Sequence, residues 1–323
     1  MNCTLQYTDS QSQVFPWIYL FLALLGFLTN GLTLLYLRRT KRTPTVIFTL
    51  NMVASDIMQS FSLLFRMTYY LNANEWKPLD RQCVVAIVIS VTVFYINVYS
   101  NMWFLLWISI SRYATVVQPN NTMLRVFRNA RSCCQICQVT WLLTVLSIGS
   151  HMAYKEITYA GTPNPDLVTC FDHMNDKRKT NPNSMFAIGL MIFYPLLLVM
   201  LSCYTLLLCH LQQIHKSSEV SQTQGSGGGL RVKRKILASV LVFLACFLPY
   251  HIQRSIMILS PDRKNCARVQ NHFQVKTNTI LVAAFNCCLN PILHLTFRLV
   301  CCRAKRLNPE AGGAQETHTT GVS

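Results

Sequence analysis

Among the residues able to do chemistry, His251 and Arg254 close the stretch FLACFLPYHIQR, three positions apart and so on neighbouring helix faces. Arginine offers a planar donor fork suited to phosphate or carboxylate. Lys276, fifteen residues before Pro291, would supply a second charge, and Arg66, ten residues after Asp56, a third. Tyr95 and Tyr99, four apart, share one helix face and carry hydroxyls. Together these six side chains would bind an anion. The plainer reading of Arg254 is an interface anchor, with its stem in lipid and its head in water. Asp56 poses a second problem, because a lone carboxylate in apolar surroundings must be paired, hydrated or neutral. Asn30, Asn97, Asn101, Asn286 and Asn290 offer it amide groups. Cys133, Cys134 and Cys137 in CCQIC lack a nearby fourth ligand, so no metal site is expected there. No nucleophile–base pair or metal-ligand set argues for an enzyme.

The elements that must position these residues are visible in the charge pattern. The 323 residues are 51% hydrophobic and 13% charged, whereas a soluble domain carries about 25% charged residues. Segments 15–37, 83–111, 132–154, 184–210, 236–253 and 277–297 contain no Asp, Glu, Lys or Arg, and 44–65 contains only Asp56. About 20 helical residues cross a hydrocarbon core of roughly 30 Å, so seven spans are predicted. The first lacks a basic n-region and has too long an apolar core for a cleaved signal peptide.

Charge sets the orientation. The segments following spans one, three, five and seven hold 17 basic and three acidic residues, and the alternate segments hold twelve and eight. The positive-inside rule then puts the N-terminus outside. The net charge of +17 reflects topology and anionic inner-leaflet lipids as partners, not nucleic acid. Three parts follow: an extracellular N-terminus (1–14), a seven-span bundle (15–300) and a cytosolic tail (301–323). GSGGGL before span six reads as a flexible patch.

On this topology Cys3, Cys83, Cys170 and Cys266 face the oxidising side, where four cysteines permit three pairings. Cys301 and Cys302, beside Arg303, Lys305 and Arg306, read as palmitoylation sites. Asn2 in NCT is expected to be glycosylated, whereas Asn120 in NNT carries the same motif on the cytosolic side. Asn2→Gln should abolish the glycosidase-sensitive mobility shift; a shift that survives would refute the assignment or the topology.

The motifs resemble those of rhodopsin-like (class A) G-protein-coupled receptors, one per span. They are Asn30 in GFLTN, Asp56 in LNMVASD, SRY at Ser111, Arg112 and Tyr113, Trp141, Pro195, CFLP from Cys246 to Pro249, and NPILH from Asn290 to His294. FYINVYSN, CFLPYHIQR and NCCLNP resemble the purinergic and lipid-receptor branch. The resemblance implies an all-α seven-helix membrane bundle with a short amphipathic eighth helix, at the plasma membrane. It implies disulfides Cys83–Cys170 and Cys3–Cys266, a small extracellular anionic ligand such as a nucleotide or lipid, a heterotrimeric G protein, and arrestin. It matches Tyr95, Tyr99, His251, Arg254 and Lys276 to ligand-contacting positions. It also places a sodium ion, the sole expected cofactor, among Asp56 and the five asparagines.

Departures from the class gather at the cytosolic end. Ser111 stands where the class has aspartate, and Gly229 where some relatives have an acid, so Arg112 lacks both usual carboxylates. Phe247 replaces tryptophan two residues before Pro249, and His294 replaces the tyrosine after Pro291. Tyr204 follows Pro195 by nine residues instead of eight, and Cys83 precedes Arg112 by 29 instead of 25. Three functions compete: a ligand-activated receptor, a non-signalling or constitutively active seven-helix protein, and an ion or proton channel using Asp56 and His294. FLACF and the apolar inner half of span three oppose a continuous polar path.

Overall fold

The computed structural model describes residues 7–71, 81–160, 182–220, 226–259 and 265–307. Asn2, Cys3 and Cys170 lie outside them, as do the side chains of Cys83, Cys301 and Cys302. Among the described residues eight α-helices follow in order: α1 (Asp9–Arg38), α2 (Pro44–Leu71), α3 (Arg81–Val116), α4 (Ala130–Ala160), α5 (Pro182–Val220), α6 (Ser226–Leu259), α7 (Cys266–Ala284) and α8 (Asn286–Leu307). A 3₁₀ turn (Met123–Arg128) lies between α3 and α4. Among the described residues seven stretches are long and apolar enough to span a membrane, the last running through α7 and α8 as Cys266–Thr296. α8 continues to Leu307 and supplies the expected C-terminal helix. Cys83 falls in the first turn of α3, so the extra residues before Arg112 lengthen that helix.

The helices are apolar outside as well as in. Along α1, Trp17, Phe21, Leu24, Leu28 and Leu35 form an exposed stripe, while Tyr19, Leu22, Ala23, Gly26, Asn30 and Thr33 are buried. Lipid tails give no hydrophobic drive between helices, so close packing and interhelical hydrogen bonds must hold the bundle. Gly26 shows the packing: a Cβ there would overlap the Ser60 hydroxyl of α2 and lie 3.6 Å from Cys287 Sγ. Trp141 of α4 donates to Asn51 Oδ1 of α2 at 3.0 Å. Apolar packing forms two clusters. One centres on α3, α5 and α6 through Phe94, Phe104, Phe193, Phe243 and Phe247. The other joins α1, α2 and the seventh span through Tyr19, Leu63, Tyr70 and Leu281.

Two local devices shape the ends and middle. Thr8 caps α1 and shares a capping box with Gln11, satisfying amides that the first turn leaves open. Gln11 Nε2 then donates to Asn278 Oδ1 of α7 at 3.2 Å. Tyr7 lodges against Tyr70 and Phe273, its hydroxyl 3.1 Å from that of Tyr69. Burial, with the neighbouring phenols, pushes the Tyr7 phenol well above its ordinary range, so it stays neutral. In mid-membrane, Pro291 has no N–H to give the carbonyl four residues back. That carbonyl, of Cys287, instead accepts from Asn30 Nδ2 at 2.8 Å. The helix breaks just before this point, at Phe285, between α7 and α8.

Candidate functional site

Towards the C-terminal end of α6, helices α3, α5 and α6 converge on Arg254, which is only 8% exposed. Its Nη1 donates to the Tyr250 hydroxyl at 3.0 Å, and that hydroxyl donates to the Tyr95 hydroxyl at 3.2 Å. The guanidinium lies 5.4 Å from the Tyr95 ring centre and 5.8 Å from that of Tyr250, within cation–π range. Gly189 of α5 completes the wall: a Cβ there would overlap the Tyr99 hydroxyl and stand 3.6 Å from Arg254 Cζ. Arg254, Tyr95 and Tyr99 therefore come together as the sequence predicts. The interface-anchor reading fails, because the side chain turns inward.

Tyr250 escaped the sequence reading although it sits four residues before Arg254. At 100° per residue, positions four apart diverge by about 40° and positions three apart by about 60° in the other direction. Tyr250 thus shares the inward face. His251, expected beside Arg254, instead turns toward α5. Its ring stacks on Phe193 at 3.7 Å and 12°, it is fully buried, and neither ring nitrogen has a hydrogen-bond partner. It belongs to the α5–α6 packing rather than to the polar group around Arg254.

Arg66 is also placed differently from expectation. Its guanidinium lies 5.3 Å from the Phe94 ring centre and 5.8 Å from that of Tyr19, in a box between α1, α2 and α3. Phe94 contacts Tyr95 and Tyr250 edge-on, at 5.6 and 5.8 Å. A single aromatic ring therefore stands between the Arg66 box and the Arg254 cradle. Lys276 is half-buried on α7, one turn inward of His272. The His272 ring nitrogen Nδ1 lies 3.2 Å from Gln253 Nε2 of α6.

Deeper in the membrane Asp56 is fully buried. Asn101 and Asn97 both donate to its Oδ1, at 2.7 and 2.9 Å. Asn97 also donates to Ser55 Oγ, which pairs with Ser100 Oγ at 2.7 Å. Asp56 Oδ2 and the amide oxygens of Asn101 and Asn30 accept no hydrogen bond. The other asparagines act elsewhere. Asn30 fastens the Cys287 carbonyl, while Asn290 donates to Asn286 Oδ1 at 3.0 Å.

Near the C-terminal end of α3, Arg112, Tyr204, Ser239, Asn290 and His294 line a cavity of about 20 Å³, room for one water. Tyr204 reaches it despite its one-residue offset from Pro195. Ser111 does not face this group: its hydroxyl donates to the Phe127 carbonyl in the 3₁₀ turn, at 3.0 Å. Phe247 is fully buried against Phe243, and Pro249 and Pro291 lie inside α6 and α8. Tyr113 supplies a carbonyl to the Val117 and Gln118 amides where α3 ends. At the start of α7 Cys266 is disulfide-bonded. Cys133 and Cys137 are buried while Cys134 is exposed, and no metal-binding cluster occurs among the described residues.

Comparison with known proteins gives one consistent result. The profile described as "7 transmembrane receptor (rhodopsin family)" matches residues 29–294. The chain is 28% identical over 304 residues to G-protein coupled receptor 183 of Mus musculus, covering 91% of this chain and 81% of that one. It is 28% identical over 306 residues to cysteinyl leukotriene receptor 2 of Homo sapiens, covering 91% and 80%. Against G-protein coupled receptor 68 of Bos taurus it is 26% identical over 298 residues, covering 91% and 76%.

Proposed function

Because the chain belongs to the rhodopsin family of seven-transmembrane receptors, we propose that it binds a small extracellular anion at Arg254 and activates a heterotrimeric G protein. It is a multi-pass membrane receptor and not an enzyme. The observation that carries the ligand reading is the buried Arg254, cradled by the Tyr250, Tyr95 and Tyr99 phenols of α3 and α6. A guanidinium suits a carboxylate or phosphate, and the surrounding rings suit an apolar or aromatic body. A lipid acid or a nucleotide meets both demands, and one relative is named for cysteinyl leukotrienes. The inner surface would be the basic one, with the N-terminus outside. A ligand that favours one of two packings shifts α6, and the cavity at Arg112 is where that shift would reach the G protein.

Sodium suits the polar group below. Asp56 Oδ2 and Asn101 Oδ1 are buried oxygens without a donor, and a hard cation takes oxygen ligands. When bound there, sodium would neutralise the Asp56 carboxylate. This chain's own contribution is to aim Asn97 and Asn101 at the other carboxylate oxygen and leave Oδ2 available.

One assay addresses both readings: G-protein dissociation across all α subtypes, without ligand and then with an anionic metabolite library. At least one subtype should dissociate, and more so when choline replaces sodium. No dissociation at verified surface expression would favour a non-signalling binder, a reading that the Ser111 and Gly229 replacements keep open. An unchanged signal in choline would remove the ion.

A further inference from the structure

The end of α3 exposes the carbonyls that every helix C-terminus leaves without intrahelical partners. Here Pro119 follows closely, which prevents the helix from continuing. One side chain gathers these groups. Arg128 Nη1 donates to the carbonyls of Pro119, Gln118 (3.2 Å) and Ala114 (3.5 Å), and Nη2 donates to that of Asn121 (2.9 Å). A cation at the C-terminal end of a 36-residue helix also lies favourably in its dipole. We propose that Arg128 is the positioning residue of the second inner loop, fixing the surface that this loop presents to the G protein. The proposal rests on the coupling reading above.

Other bonds show how far the loop is tied down. Asn121 Oδ1 accepts from the Met123 and Leu124 amides and starts the 3₁₀ turn. Ser111 of α3 holds the Phe127 carbonyl, and Trp107 stacks on the Phe127 ring at 5.7 Å and 27°. Trp107 Nε1 in turn donates to Thr140 Oγ1 of α4 at 3.1 Å. Surface loops are ordinarily the mobile parts of a fold. In this one the side chains of Arg128, Asn121, Ser111 and Cys133 hold the backbone and Trp107 holds the Phe127 ring, yet Met123 at its start is 86% exposed. An apolar side chain held out on a fixed turn is suited to a partner, because ordering costs are met before binding. The Arg112 cavity lies at the same end of the bundle, so on the coupling reading the G protein is the partner this surface would meet. Lysine would not replace Arg128, since one ammonium cannot fork across four carbonyls.

The test uses the full-length receptor in lipid nanodiscs. Amide hydrogen exchange over residues 117–129 and basal G-protein nucleotide exchange are compared for wild type, Arg128→Met and Arg128→Lys. Arg128→Met should raise amide exchange in this segment about tenfold or more and lower nucleotide exchange about three- to tenfold, at an unchanged thermal midpoint. Arg128→Lys should recover less than half of each effect. Unchanged amide exchange in Arg128→Met overturns the positioning role. Faster amide exchange with unaltered nucleotide exchange overturns its bearing on coupling. If wild type drives no G protein, the coupling reading fails, and amide exchange alone decides whether Arg128 fixes the loop.

Discussion

Arg254→Ala is expected to shift the potency of an anionic agonist about ten- to hundredfold to the right, with surface expression unchanged. A charge-assisted hydrogen bond contributes about 1.5–3 kcal/mol, and each 1.4 kcal/mol is about a factor of ten. The geometry adds graded companions. Tyr250→Phe removes only the hydroxyl that takes the Nη1 proton, a neutral acceptor worth about 0.5–1.5 kcal/mol, so a shift of about two- to tenfold is expected. Arg254→Lys keeps the charge but loses the fork, and should fall between these two. Lys276→Ala tests the second cation. His251→Ala should act otherwise, since that ring packs on Phe193: thermal stability should fall without a selective loss of anionic agonists. Potency measured on this series decides the matter. Unchanged values for both Arg254→Ala and Lys276→Ala would end the anionic-pocket reading.

The second large effect concerns Arg112. With no Asp at 111 or acid at 229, Arg112 lies among Tyr204, Ser239, Asn290 and His294, and among the described residues no carboxylate lines that cavity. Losing a carboxylate partner costs the resting packing on the order of 1 kcal/mol, about a fivefold change in a two-state equilibrium. Basal coupling is therefore expected above that of mock cells, and Ser111→Asp should lower it about fivefold. The Ser111–Phe127 bond supplies a control. Aspartate removes that bond and brings a charge, whereas Ser111→Ala only removes the bond. If alanine lowers basal signal as much as aspartate at matched expression, the loop explains the effect and this account of Arg112 is wrong. Basal signal equal to mock cells would also refute it.

The seven spans were legible because charge is excluded from hydrocarbon, a signal that needs no knowledge of packing. Asp56 with Asn97 and Asn101 was legible for the same reason: a buried carboxylate demands donors, and few were available. Directions around the helix were harder. Choosing His251 over Tyr250 as the neighbour of Arg254 required a rotation of tens of degrees, and chemical type favoured the wrong ring. Depth placed Arg66 with the other cations, but which flank of Phe94 it occupies depends on how α2 packs against α1. Asn30 served α8 rather than Asp56. Pro291 announced a carbonyl in need of a donor, and its partner across the bundle became visible only with the fold. The break at Phe285 left no mark in composition at all.

That break makes the seventh span two levers sharing a fulcrum. The outer lever carries Lys276 and His272, and the inner one carries Asn290, Pro291 and His294. Asn30 clamps the start of the inner lever to α1 through the Cys287 carbonyl, and Gln11 ties the outer lever to the same helix through Asn278. The first helix thereby acts as a stator. Both halves are held beside it, and Phe285 alone among the described residues of this span departs from the α-helical pattern. The two halves of this span therefore meet at a single turn residue, and one amide side chain moors each of them to the same fixed post.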